Sequence, residues 1–300
     1  MKQLTFKIGI FTTICALFFS VAFNARAAVT VQTQGTIKSG DTTIVSVLLD
    51  TEGKTINAID GVIAVSDDVG GDFQIKEISV AGSAFSIWPR KPSLTIEGHS
   101  IMFTGGAVAG VNDTNALLFK IVIQVNKPGA IHIASSGVIG YLNDGLGTSV
   151  SFKKTNDTVT VLLGDGVATD AWKNIVAGDN IPPEKFTVLL GQDQSMFDGM
   201  KFLSFETTDT DSGIDYFDVK EGAYEYVRTG TTYVLQNQDK VKNIIVRAHD
   251  KAGNIQIATF GMNKKAINWQ GIIIVVLIAS VVFYCKRIIR LFKRYVLRKK

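Results

Sequence analysis

Cysteine is almost missing from this 300-residue chain. The two present, Cys15 and Cys285, lie in terminal apolar runs, so residues 28–266 carry neither a disulfide nor a thiol nucleophile. Small disulfide-stapled folds are thereby excluded, and stability has to come from ordinary burial, which a segment of this length can supply. Histidine is equally sparse. His99, His132 and His249 are the three in the chain, isolated from one another, with no His-x-His, His-Glu-x-x-His or Cys-x-x-Cys spacing for a metal. No Gly-x-Ser-x-Gly elbow and no phosphate-cradling loop occurs. These absences argue against an enzyme and against a bound cofactor or metal. Paired carboxylates for glycoside cleavage stay open, because such pairs meet in space rather than in sequence.

Charge of one sign is missing from the two ends. Residues 1–27 and 286–300 contain no acid. Of the 31 Lys and Arg, three lie in the first stretch and eight in the last, which leaves 20 against all 27 Asp and Glu. The formal balance of +4 therefore conceals a middle of about −7. A mildly acidic middle suits solubility and argues against nucleic acid as a partner.

The ends themselves are informative. Lys2 and Lys7 precede an apolar run over 8–23, and Ala25-Arg26-Ala27 supplies a small-x-small site. This order is that of a secretory signal peptide, residues 1–27, cut after Ala27. Residues 267–285 contain no charge; as a helix they reach about 28 Å, the hydrocarbon thickness of a bilayer. Trp269 and Tyr284 mark the two edges of this run. Eight cations follow in 286–300, so the positive-inside rule places this basic tail in the cytoplasm and the N-terminal part outside. The expectation is a single-pass protein of the cell membrane whose contact with the lipid bilayer is 267–285.

Between the ends, short alternating runs are broken by Gly, Asp and Asn. In 43–50, Val45, Val47 and Leu49 share a face; in 118–125, Phe119, Ile121, Ile123 and Val125 point one way, Lys120 and Gln124 the other. Further runs fall at 29–33, 56–65, 73–80, 100–104, 130–135 and 158–163. Many strands at this spacing, without a convincing helix, predict an all-β sandwich. Residues 164–183 lack alternation and end in Pro182-Pro183, which reads as a linker. Seven more runs, at 186–192, 201–206, 214–220, 224–228, 232–235, 243–248 and 255–260, predict a smaller immunoglobulin-like sandwich over 184–263.

Lys38-Ser-Gly-Asp41, Thr55-Ile-Asn-Ala58, Gly82-Ser-Ala-Phe-Ser-Ile-Trp88, Ile101-Met-Phe-Thr-Gly-Gly106, Leu118-Phe-Lys-Ile121 and Leu142-Asn-Asp-Gly-Leu-Gly-Thr148 follow in that order. Their succession resembles the cohesin branch of the carbohydrate-binding-domain superfamily over 28–163. The resemblance implies a nine-stranded jelly-roll β-sandwich and, as partner, a dockerin-like protein module or a polysaccharide. Where many cohesins carry a Tyr-Asp-Pro turn after the third strand, this chain has Ser66-Asp-Asp-Val-Gly-Gly-Asp72. Asp211-Ser-Gly-Ile-Asp215 and Val246-Arg-Ala-His-Asp-Lys-Ala-Gly-Asn254 look like bacterial Ig-like surface modules, with His249 as part of the closing hairpin.

Two further features touch on ligands. Asp209-Thr-Asp-Ser-Gly-Ile-Asp215 begins as a calcium loop does, but Lys220 stands where an EF-hand places its bidentate Glu, so it reads as a polar turn. Phe85, Trp88 and Tyr141 are the candidate aromatic platforms for a sugar ring, Trp88 in a loop-like context before Pro89 and Pro92. The expected whole is a non-catalytic surface binding protein, with a structural envelope or adhesion protein, both sandwiches acting as spacers, as the alternative.

Overall fold

The computed structural model describes residues 27–68, 72–241 and 243–261. The first part comprises β1 (Ala28–Thr33), β2 (Ile37–Lys38), β3 (Thr42–Asp50), β4 (Ile56–Asp67), β5 (Phe73–Ser79), β6 (Ile87–Leu94), β7 (Ser100–Val111), β8 (Ala116–Val125), β9 (Gly129–Leu142), β10 (Ser149–Ser151) and β11 (Asn156–Leu162). One sheet runs β1-β3-β8-β5; the larger runs β2-β11-β9-β4-β7-β6, with β10 on β9. The core lies between them. Val45, Val47 and Leu49 meet Ile59, Ile63, Ile101 and Ile133 there, all at most 1% exposed, and Phe103 stands edge-on to Phe119 at 5.3 Å. Each such side chain contributes roughly 1.5–3 kcal/mol by leaving water.

Among the described residues the first part has eleven strands, where the resemblance implied nine. The additions β2 and β10 are too short to show alternation. β6 was obscured by Pro89 and Pro92, which have no N–H for a ladder. It is the edge strand of its sheet, and its register to β7 skips between Ile87↔Gly106, Arg90↔Thr104 and Ser93↔Met102. Prolines are tolerated at such edges and bulges, so the loop-like context read around Trp88 is corrected to an irregular strand.

The connecting segment also differs from a plain linker. It contains α1 (Ala171–Gly178), started by Asp170, whose carboxylate accepts from the Lys173 N–H at 2.9 Å. Trp172 of α1 packs with Ile44, Ala81 and Val122. Ile44 and Val122 occupy the face of the smaller sheet that alternation assigns to water, and the helix explains why they are apolar.

The second part comprises β12 (Val188–Asp193), β13 (Met196–Phe205), β14 (Ile214–Glu221), β15 (Val227–Thr229), β16 (Thr232–Val234), β17 (Ile244–Asp250) and β18 (Ile255–Phe260). All seven predicted runs become strands, in sheets β12-β13-β16 and β15-β14-β17-β18 around Leu203, Phe205, Phe217, Val219 and Val246. Both sandwiches belong to one compact unit that ends at Phe260. Among the described residues no helix is long and apolar enough to cross a membrane. The expected span at 267–285, the basic tail and residues 1–26 of the expected signal peptide lie outside them.

Candidate functional site

The two outer faces of the first sandwich have different fates. The smaller sheet is covered by α1 and by the second sandwich. Gly82 N–H donates to the Asp209 carbonyl at 3.2 Å, Lys120 Nζ to the Thr210 carbonyl at 3.4 Å, and the Trp172 indole N–H to Glu77 at 2.9 Å. Lys251 pairs with the same Glu77. Burial lowers the Lys120 ammonium from its ordinary value against the pull of Asp211 and Asp209.

Among the described residues the outer face of the larger sheet is open. Register aligns three rows across β9, β4, β7 and β6: Tyr141, Ala58, Gly106, Ile87; then Ile139, Asp60, Thr104, Arg90; then Ser136, Val62, Met102, Ser93. Ile87, Met102 and Ile139 are 36–39% exposed. They surround a polar centre in which the Thr104 hydroxyl donates to Asp60 at 3.3 Å, with Arg90 alongside. Exposed apolar side chains grouped on one face of a sheet mark a surface that can take a partner. No periodicity advertised this face, since its Gly and Ala positions look unremarkable in a strand.

Of the three predicted platforms, Phe85 and Trp88 are neighbours and Tyr141 lies apart from them. Phe85 is wholly buried, so it presents no ring to a ligand, and its ring centre lies 6.4 Å from that of Trp88. Trp88 lies on the inner side of β6 and covers Gly105, where a Cβ would come 2.9 Å from the indole. Glycine at 105 is what lets the ring lie flat. The remaining edge of Trp88 borders a cleft of about 480 Å³ shared with Lys91, Asp215, Tyr216 and Arg228. Tyr216 in that cleft has both faces occupied, by the Arg228 guanidinium at 3.9 Å and the His249 ring at 4.3 Å. Tyr141 is half-buried on the opposite, open face.

The histidines also find partners that sequence distance hid. His132 Nε2 lies 2.7 Å from Asp68 and its Nδ1 3.2 Å from the Thr158 hydroxyl. This resembles a hydroxyl–base–acid chain, but His132 and Asp68 are 30% and 59% exposed on an open strand pair. Among the described residues nothing there excludes water or holds a substrate against Thr158. His249 lies 3.2 Å from Asp218, which Arg247 grips through two nitrogens at 2.7 and 2.5 Å. That arrangement ties β17 to its neighbour β14, whereas the turn of the β17–β18 hairpin is closed by Asp250 and Asn254.

Three buried carboxylates meet where α1 runs into the second sandwich. Asp179, Asp209 and Asp250 bring one oxygen each within 4.8 Å of the others, a donor set of the kind that a calcium-class cation takes. Only Asp209 comes from the acidic 209–215 run; Asp215 faces Arg228 instead. Donors already hold each group: Gly213 N–H reaches Asp209 at 2.6 Å, Ile181 and Ser212 N–H reach Asp179 at 2.9 and 3.2 Å, and Asn254 reaches Asp250 through its backbone at 2.7 Å. Burial, aided by the two neighbouring charges, pushes the Asp209 carboxyl above its ordinary value. For Asp179 burial acts in the same direction, but the hydrogen bonds from Ser212 and Ile181 outweigh it and lower the pKa.

No protein-family model and no curated protein matches this chain. Among solved structures, a cohesin module of a family 33 glycoside hydrolase from Clostridium perfringens aligns at 8% identity and TM-score 0.39, covering 47% of this chain and all of that module, 100%. A non-cellulosomal cohesin from the hyperthermophilic archaeon Archaeoglobus fulgidus aligns at 17% identity and TM-score 0.37, over 46% of this chain and 92% of that one. A chain of the CaDoc0917–CaCohA2 complex at pH 5.5 aligns at 15% and 0.34, over 45% and 99%. The chain thus matches cohesin modules in structure over about half of its length.

Proposed function

We propose that this chain is a non-catalytic binding protein held at the outer face of a cell membrane, in which the open face of the larger sheet docks a dockerin-like protein module. The observation that carries the reading is the alignment of Tyr141, Ile139, Met102 and Ile87 around Asp60, Thr104 and Arg90 on a face that nothing else in the described chain covers. The opposite face is given over to α1 and the second sandwich, so the open face is presented outward from a braced support. The charge-free run 267–285 and the eight cations after it support anchorage with the N-terminal part outside.

Titration calorimetry of the full chain in detergent against a panel of recombinant dockerin modules tests this. At least one module is expected to bind, and Ile139→Asp with Met102→Asp is expected to abolish the heat while leaving the fold intact. Binding undisturbed by both substitutions moves the partner elsewhere. A polysaccharide is the second reading, favoured by the Trp88 edge in the cleft beside Lys91 and Arg228. A glycan array on which Trp88→Ala loses signal while Ile139→Asp keeps it selects that reading.

A further inference from the structure

The end of the second sandwich remote from α1 carries a tip with three exposed apolar side chains, set beside Asp193 and Asp198, that belong to neither core. Hydrogen bonds define that end. Lys201 N–H donates to the Gln238 side chain, Gln236 and Asn237 N–H donate to Glu221, and Glu221 pairs with Ile244, which pairs with Phe260. Phe260, the last residue of β18, therefore lies at the same end as Lys201, and the β12–β13 hairpin continues past Lys201 to its tip at 193–200.

The tip is unusual in shape and chemistry. Asp193 pairs with Met196, but the next pair is Gln192 with Lys201, so 197–200 bulge out of the ladder. Phe197 and Asp198 hold φ of 53° and 54°, followed by Gly199 at 75°. A bulky aromatic in the left-handed region is strained, and strain of this kind is retained where the conformation serves something. What the bulge accomplishes is exposure: Met196, Phe197 and Met200 are 44%, 37% and 41% exposed, and Tyr224 at the same end 50%. The Phe197 ring still rests on Phe202, 5.0 Å between centres, which ties the tip to the sandwich.

We infer that this tip seats in the headgroup layer of the bilayer, so that the second sandwich meets the membrane through Met196, Phe197 and Met200. The occupant follows from where the chain goes. The charge-free run begins at 267, six residues after 261. Six residues extend at most about 20 Å, so the end of the sandwich that carries the tip is tethered close to any membrane that run enters. Flexible thioethers and an aromatic ring on a protruding loop suit the boundary between headgroups and acyl chains. The inference rests on the anchored reading above.

The test keeps the full chain, with Cys15→Ser and Cys285→Ser, in vesicles of equal parts phosphatidylcholine and phosphatidylglycerol. A bimane label is placed at Met196→Cys, at Met200→Cys as a second position on the tip, and at Glu97→Cys in the first sandwich as the water-exposed reference. Expected is severalfold weaker quenching by aqueous iodide at 196 and 200 than at 97, together with quenching by a headgroup-region lipid quencher that position 97 does not show. Iodide quenching equal at all three positions, in protein that stays with the vesicles through an alkaline wash, overturns the seated tip and leaves the anchor standing. Release by the wash overturns the anchor and the tip with it. Shielding from iodide without lipid quenching assigns the tip to a second copy of the chain and also overturns the inference.

Discussion

The two sandwiches are stabilised in different ways. In the first, the described core is a continuous apolar cluster from Ala27 to Val161, and most of its buried polar residues, such as Asp41 and Thr51, are at strand ends. The second has a smaller apolar centre and places Asp209, Asp218, Glu221, His249 and Asp250 below 9% exposure. A small sandwich has little volume to bury, and hydrogen-bonded charges take part of the structural role that aliphatic side chains fill in the first. Such charges specify geometry more than they stabilise. The first sandwich should therefore respond to lost volume and the second to lost charge partners and to pH.

The largest effect is expected from Phe119→Ala. The ring is fully buried against Phe103, so its loss should lower stability by about 4 kcal/mol in urea titrations. A loss below 1 kcal/mol, on the order of a surface change, would break the contrast between the parts. Next comes Trp172→Ala, which empties the contact between α1 and the smaller sheet and removes the bond to Glu77. We expect a loss of about 3 kcal/mol and two calorimetric transitions in place of one; a single unchanged transition would show that α1 does not couple the sandwiches.

Asp218→Ala should destabilise by about 2 kcal/mol, because Arg247 and His249 lose their shared acceptor while Arg247 keeps some contact with water. A smaller effect of opposite sign is expected at Asp209. Its folded pKa lies above the unfolded one, so the ionised group opposes folding at neutral pH and the penalty disappears as pH falls below the unfolded value. Asp209→Asn should therefore raise the melting temperature at pH 7, with the gain shrinking toward pH 3. A gain that grows on acidification would mean that the sign is wrong. The smallest stability effect belongs to the open face: Tyr141→Ala should move stability by no more than about 0.5 kcal/mol, and any loss of binding it causes is then attributable to contact.

Most strands were legible because one face of each packs inward. Val45, Val47, Leu49, Phe119, Ile121, Ile123 and Val125 alternate as expected, and all are buried. β6 was not legible, since Pro89 and Pro92 mark a loop unless an edge is already known to lie there. α1 was hidden because eight residues carry too few turns for a helical period. The candidate site was legible only in part. Trp88 was singled out as a candidate sugar platform, but its environment depends on Gly105 beneath it and on the second sandwich across the cleft. The open face, the Asp68–His132–Thr158 chain and the Asp179–Asp209–Asp250 cluster join residues far apart in sequence.

By itself the sequence determined the β class, the strand rhythm of both sandwiches and the acidic, cysteine-free middle, all of which follow from local alternation and composition. Only the tertiary structure decided which sheet face stays open, that the connecting segment is a docked helix, and that the tip at 193–200 shares an end with Phe260. Those outcomes depend on register and on contacts across the fold, and local alternation carries no information about either.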